Sequence, residues 1–414
     1  MTADLLLPRV WLLEGPDQPL KLAAVAIRAG ALATITAPEP ATGGDDALPL
    51  LAPCLVDPHS VLEDPLLGRA ETLASLAAVA AAGGYGSVAL LPWAHPWRDR
   101  PERLQLAWPE PQRLLLWGAF SDGGENRRLA PHGDQLAAGA IGLAGGGALP
   151  PVALLERGLQ LGEMGQRPVL LAPRDPSLAA GGFVRDGVEA LRMGWPTDPA
   201  LSETLPLQTL LTLAEAHPER QLRLMNLSTA EGVRRLRGCP QPPLATVSWW
   251  HLLADSGRLE PTAEGWRVEP SLGGPADREA LIAALAGGLI TAVAVQHTPL
   301  DAEELLLPID QRRAGVSGHD LVLPLLWQEL VLGRGWSPAQ LWQALSWGPS
   351  RVLGEPPERL QPGSRRWLLF DPALRWHDAD APSPSLAANR PWRERPRLGR
   401  VLACGLSGPE GWLV

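Results

Sequence analysis

Short apolar runs broken by Gly, Pro and Asp open the chain, and none has the three-to-four-residue spacing of a helix face. Residues 5–7, 10–13, 22–27 and 33–36 therefore read as strands. The pattern changes at Leu51-Ala-Pro-Cys-Leu-Val-Asp57-Pro-His59, a continuous apolar run ending in polar groups, as in a strand buried on both faces. An Ala- and Leu-rich stretch over 70–82 follows, stopped by Gly83 and Gly84, and another apolar strand lies at 87–91. This rhythm recurs. Further strands are expected at 114–117, 140–143, 168–172, 222–227, 245–249 and 290–295, with helices such as 206–216 and 278–286 between them. About eight strand–helix units over roughly 300 residues is the count of a (β/α)8 barrel. A doubly wound sheet is the alternative, but no Gly-rich fingerprint opens a helix after the first strand. Helical spacing stops near residue 355, and 366–372 and 398–404 read as strands again. The expected fold is α/β: a TIM-like (β/α)8 barrel over 53–355, with a small β-sandwich domain built from both termini, 1–52 and 356–414.

Composition changes this picture little but narrows the function. The 414 residues carry 36 basic and 45 acidic side chains, a net charge of −9, which argues against a nucleic-acid partner. No apolar run reaches the roughly 18 residues of a membrane span, because Gly, Pro, Arg or Asp interrupts each one. Residues 1–9 lack a positive segment followed by a long apolar core, so no signal peptide is expected and the location is read as cytoplasmic. Cys54, Cys239 and Cys404 form no Cys-x-x-Cys pair, so neither a disulfide framework nor a zinc knot is indicated. Lys21 is the only lysine among the 36 basic residues, which leaves no lysine beyond the N-terminal segment to be carboxylated or to form a Schiff base.

Several segments then become specific. Cys54-Leu-Val-Asp57-Pro-His59-Ser-Val61-Leu-Glu63-Asp64-Pro65 resembles the opening D-x-H-x-H-L-R-E/D-P motif of dihydroorotases in the cyclic amidohydrolase family. Ala80-Ala-Ala-Gly-Gly-Tyr-Gly-Ser-Val-Ala-Leu-Leu-Pro92-Trp93-Ala-His-Pro96 is similar to the family's A-A-A-G-G-(F/Y)-T-x-V-x-x-M-P-N-T-x-P. Later segments at 138–144, 227–233, 365–372 and 388–392 follow in collinear order, the last two resembling the closing β domain.

The resemblance implies a barrel whose mouth holds two zinc ions and interconverts a cyclic amide, dihydroorotate, with carbamoyl aspartate. In that chemistry a metal-activated hydroxide attacks the ring carbonyl and an Asp shuttles the proton. Residue by residue, this chain departs from the pattern. The first motif keeps Asp57 and His59, but Val61 stands for the second His and Glu63 for the substrate-binding Arg. Trp93 replaces the substrate-binding Asn, and the bridging carboxylate falls in Ala144-Gly145-Gly146-Gly147. Ala172 and Asn226 occupy two further His positions, and Gln296 occupies that of the catalytic Asp. Of the expected ligands only His59 remains, so no catalytic residue, no intact metal site and no cofactor are expected. His59 reads as a polar core residue bonded to backbone, and His297 and His251 as structural groups flanking the site. Trp93, Trp249 and Trp250 read as filling the space vacated at the mouth.

Two functions follow. The first is a non-catalytic dihydroorotase-like protein, structural or regulatory in pyrimidine biosynthesis, with aspartate carbamoyltransferase as the partner and a homo-oligomer as the expected assembly. The second is an active zinc-dependent dihydroorotase.

Overall fold

The computed structural model describes residues 4–38, 48–259, 263–378 and 382–406; residues 1–3, where the leader reading began, lie outside them. Two bodies of secondary structure emerge. One is a six-stranded sheet that mixes the two ends of the chain, in the order Arg397–Cys404, Trp367–Trp376, Leu50–Pro53, Leu5–Leu12, Lys21–Arg28, Ala31–Thr36. All its pairings are antiparallel except that of Leu5–Leu12 with Leu50–Pro53. The two runs expected at 5–7 and 10–13 belong to one strand: Pro8 lacks an N–H for the ladder, and the register shifts between Leu7 and Val10. Val10, Leu12, Val25, Ile27, Trp367 and Leu369 pack together as the separate core of this sandwich-like sheet.

The other body is a (β/α)8 barrel. Its strands are β1 (Leu55–Ser60), β2 (Tyr85–Leu90), β3 (Arg113–Leu116, continued by Gly118–Ala119), β4 (Leu143–Ala144), β5 (Pro168–Leu171), β6 (Gln221–Leu224), β7 (Leu244–Ser248) and β8 (Ala292–Ala294). Parallel pairing runs from β1 to β3 and from the continuation of β3 to β8. β3 bends at Trp117, whose N–H bonds Leu90 while Gly118 N–H turns to Gly142. The ring closes between its first and last strands through Gln296 N–H to His59 O (3.1 Å) and Val61 N–H to His297 O (2.8 Å).

Side chains alternate between two cores. Val56, Ala89, Leu115, Trp117, Ile141 and Leu170 fill the barrel interior, whereas Leu55, Val88, Val169, Leu222 and Leu224 face the surrounding helices. The helix expected from residue 70 begins at Leu73, because Thr72 caps it: its hydroxyl accepts from Ser75 N–H while Ser75 Oγ accepts from Thr72 N–H. Gly83 ends this helix at a point where a Cβ would lie 2.2 Å from His319 O, so only glycine lets the two backbones approach.

Arg366 ties the terminal sheet to the barrel. Its guanidinium donates to Gly86 O (2.8 Å), Pro111 O (3.0 Å) and Ser87 Oγ (2.7 Å), and pairs with Glu358. Replacing it strands Glu358 and three acceptors at a mostly buried junction. Arg366→Ala should lower unfolding stability in a urea titration by roughly 2–4 kcal/mol, well above a surface substitution.

Candidate functional site

The mouth lies at the C-terminal ends of the strands, where the loops of a parallel barrel converge. Val61, Glu63, Trp93, His251 and Gln296 line a cleft of about 240 Å³. Next to it, and sharing Trp93 and Gln296 with it, Ala172 and Asn226 border a space of about 20 Å³, room for about one water molecule. His59 is fully buried at the end of β1, and His297 is buried without lining either space.

His59 bonds to side chains, not to backbone as expected. Its Nδ1 lies 2.6 Å from Gln296 Oε1 and its Nε2 lies 2.9 Å from Thr246 Oγ1. An amide oxygen only accepts, so Nδ1 carries the proton and Nε2 accepts from the threonine hydroxyl. Burial away from water pushes the imidazole down to about 4, so it is neutral near pH 7. Thr246 Oγ1 also accepts from Asn226 N–H at 2.9 Å, which links β1, β6, β7 and β8 in one polar chain. Asn226 (φ 51°) and Gln296 (φ 48°) both adopt the left-handed backbone conformation. Asn enters it cheaply; Gln does so only where its surroundings impose it.

Asp57, two residues before His59 on β1, is fully buried. Its carboxylate accepts from Val295 N–H (3.0 Å), Ser60 Oγ (2.5 Å) and His319 Nε2 (2.9 Å). His297 faces Glu71, with Nε2 3.2 Å from Oε2. Burial lowers the His297 imidazole, while the Glu71 carboxyl is held below its usual range because bonds from His297 and Ser385 outweigh its own burial. Sequence reasoning missed Glu71 and His319, since partners more than 200 residues apart leave no local pattern.

The opposite wall is ionic. Arg185 lies 3.1 Å from Asp198 and 3.6 Å from Glu203, all three buried, and donates to Ser202 and Ser228. Burial raises the Glu203 carboxyl, against the pull of Arg185. Arg174 pairs with Glu269 at 2.7 Å beside Ala172. At the rim Glu63 pairs with Arg313 at 2.5 Å. The Trp93 indole donates to Gly145 O (2.9 Å), so it lies across the glycine segment and borders both spaces. Trp249 and Trp250 are instead buried in the wall: Trp250 donates to Gly265 O and packs on Trp249 and Trp392. Among the described residues no three His, Cys, Asp or Glu side chains are grouped to hold a metal ion.

No protein-family model matches the chain. A protein of Synechocystis described as dihydroorotase-like is 34% identical over 393 residues, covering 86% of this chain and 87% of that protein. The dihydroorotase of Syntrophobacter fumaroxidans is 31% identical over 372 residues, covering 86% and 83%. Among solved structures, an L-hydantoinase from Arthrobacter aurescens superposes with a TM-score of 0.76 at 17% identity, covering 96% of each chain. A D-hydantoinase superposes at 0.77 and 16% identity, covering 100% of this chain and 95% of that one. These two likenesses establish the fold. No helix among the described residues is long and apolar enough to cross a membrane.

Two predictions follow from the burial of these groups. His59 and His251 are both held down to about 4, so between pH 6.5 and 4 the unfolded chain binds more protons than the folded one. Stability therefore falls as pH drops through that window, by up to about 3 kcal/mol for each imidazole. Denaturation midpoints from pH 7 to 4.5 should show this slope, and His59→Gln should reduce it by the His59 share, leaving that of His251. Trp250→Ala should cost about 3–5 kcal/mol, as for a buried aromatic, whereas half-buried Trp93→Ala should cost less than about 2 kcal/mol. Urea titration of the two variants separates the wall residue from the mouth residue.

Proposed function

This chain belongs to the dihydroorotase-like cyclic amidohydrolases, and we propose that it keeps their barrel without their hydrolase chemistry. The observation that carries the reading is the state of His59. It is the only imidazole left of the expected ligand set, and both its nitrogens are engaged by uncharged side chains, Gln296 and Thr246. A catalytic zinc needs about three protein ligands, and a binuclear pair needs a bridging anion besides. Val61, Ala172, Asn226 and the glycines at 145–147 offer no imidazole or carboxylate at those positions, so this donor set does not fit the two-zinc centre. Gln296 has no usable pKa near neutrality and cannot take up and return a proton where the family's Asp would. Glu63 presents a carboxylate, paired to Arg313, where an Arg would receive the substrate carboxylate.

What remains is a role for the fold itself: a structural or regulatory protein of pyrimidine biosynthesis, cytoplasmic and homo-oligomeric, docked to aspartate carbamoyltransferase. The family resemblance supports this role. The test is turnover. Purified chain should neither hydrolyse dihydroorotate nor cyclise carbamoyl aspartate above background, with or without zinc. Gln296→Asp and Val61→His, each alone, should stay equally silent, because a proton shuttle without metal-bound hydroxide has no nucleophile to activate and one added ligand leaves the set incomplete. Zinc-dependent turnover by the unaltered chain would overturn the proposal.

A further inference from the structure

A larger cavity, of about 600 Å³, opens at the opposite end of the barrel, against the N-terminal ends of β6 and β7. Its size falls in the range of small-molecule pockets. Three arginines line it, Arg220, Arg223 and Arg351, against a single carboxylate, Glu215. Arg220 is already committed to Leu159 O and Glu219. The other two have no acidic partner among the described residues. Arg223 alternates along β6 with Leu222 and Leu224, which face the helices, so it projects from the opposite face of the strand. Its guanidinium donates only to uncharged oxygens, Leu222 O (3.0 Å) and Gln221 Oε1 (2.9 Å), and its Nε is buried with no partner. Arg351, on the final barrel helix Gly348–Leu353, is exposed and brings a second positive charge to the same cavity.

A half-buried guanidinium facing a like charge is an unfavourable arrangement for stability alone. Burial, reinforced by the Arg351 charge, brings Arg223 down to about 10, and no described carboxylate offsets it. Other buried arginines meet acids, as Arg185 meets Asp198 and Glu203, Arg278 meets Asp255 and Arg390 meets Asp320; buried Arg98 donates to the carbonyls of Leu62 and Leu91 but lines no cavity with a second arginine. An anion with oxygens in a plane or tetrahedron would satisfy two guanidinium forks at once. A phosphate monoester, with a charge of about −1.5 to −2, balances two cations better than one carboxylate does. The remaining wall mixes apolar groups such as Pro242 and Leu244 with the amides of Gln221 and Gln241, and so fits an organic body with polar substituents.

We propose that this cavity binds an organic phosphate, gripped by Arg223 and Arg351 and seated against the proline-rich loop at 240–243. Isothermal titration of the full chain with inorganic phosphate, adenosine 5′-monophosphate and succinate tests it. Either phosphate probe should bind, with affinity falling as salt rises, and Arg223→Gln and Arg351→Gln should each weaken binding at least tenfold. Arg351 is exposed, so its variant folds whatever Arg223 does for stability. Without ligand, Arg351→Gln should melt no lower than the unaltered chain, because a repulsion has been removed. Absence of binding by both phosphate probes, or binding undiminished in both variants, would overturn the proposal. Succinate binding more tightly than either phosphate would overturn the assignment of phosphate.

Discussion

The seam between the first and last barrel strands is the constraint on which the site depends. A ring of eight strands must close, and here two backbone bonds close it, Gln296 N–H to His59 O and Val61 N–H to His297 O. Side chains reinforce them. Asp57 reaches from β1 to Val295 N–H, and Ser60 Oγ accepts from His297 N–H at 2.9 Å. Each such charge-assisted bond is worth about 1.5–3 kcal/mol. The seam also sets the places of His59 and Gln296, the two residues at its upper edge. Their 2.6 Å contact continues the closure of the barrel.

That contact explains how the mouth can be neutral at its centre and ionic at its edges. On the proposed reading, Val61, Ala172, Asn226 and Gln296 stand where the family pattern has groups that carry charge or bind metal, and Trp93 where it has a substrate-binding amide. Their space is only partly filled. Trp93 crosses to Gly145 and the Arg174–Glu269 pair stands beside Ala172, which leaves about 20 Å³ next to Ala172 and Asn226 and the cleft of about 240 Å³ at Val61. An unfilled void of several side chains would cost about 24 cal/mol for each Å³, so closure and substitution support one another. At the wall of the mouth the buried Arg185 charge is compensated by Asp198 and Glu203.

Local pattern made the barrel legible. Parallel strands buried on both faces read as continuous apolar runs, and 168–172 and 290–295 announce β5 and β8 to within two residues. The bulge that joins 5–7 to 10–13 was less visible, because a break in alternation looks like the end of a strand. At the site, the motif resemblance located His59, Ala172, Asn226 and Gln296, which the fold does gather around one mouth. It did not foresee what His59 touches, nor Glu71 and His319, nor the Arg185 cluster. Those are tertiary pairings between residues far apart in sequence, and nothing in their neighbours' spacing encodes them. Trp249 and Trp250 show the opposite error: adjacent to a site in sequence, they belong to the wall.

The central claim is that a hydrogen-bonded imidazole has taken the place of a metal centre. Equilibrium dialysis of the purified full-length chain against micromolar zinc, followed by elemental analysis, addresses it without reference to any substrate. The account predicts far less than one zinc retained per chain, and no change in retention when His59 is replaced by Gln. Two zinc ions per chain, lost in the His59→Gln variant, would contradict it.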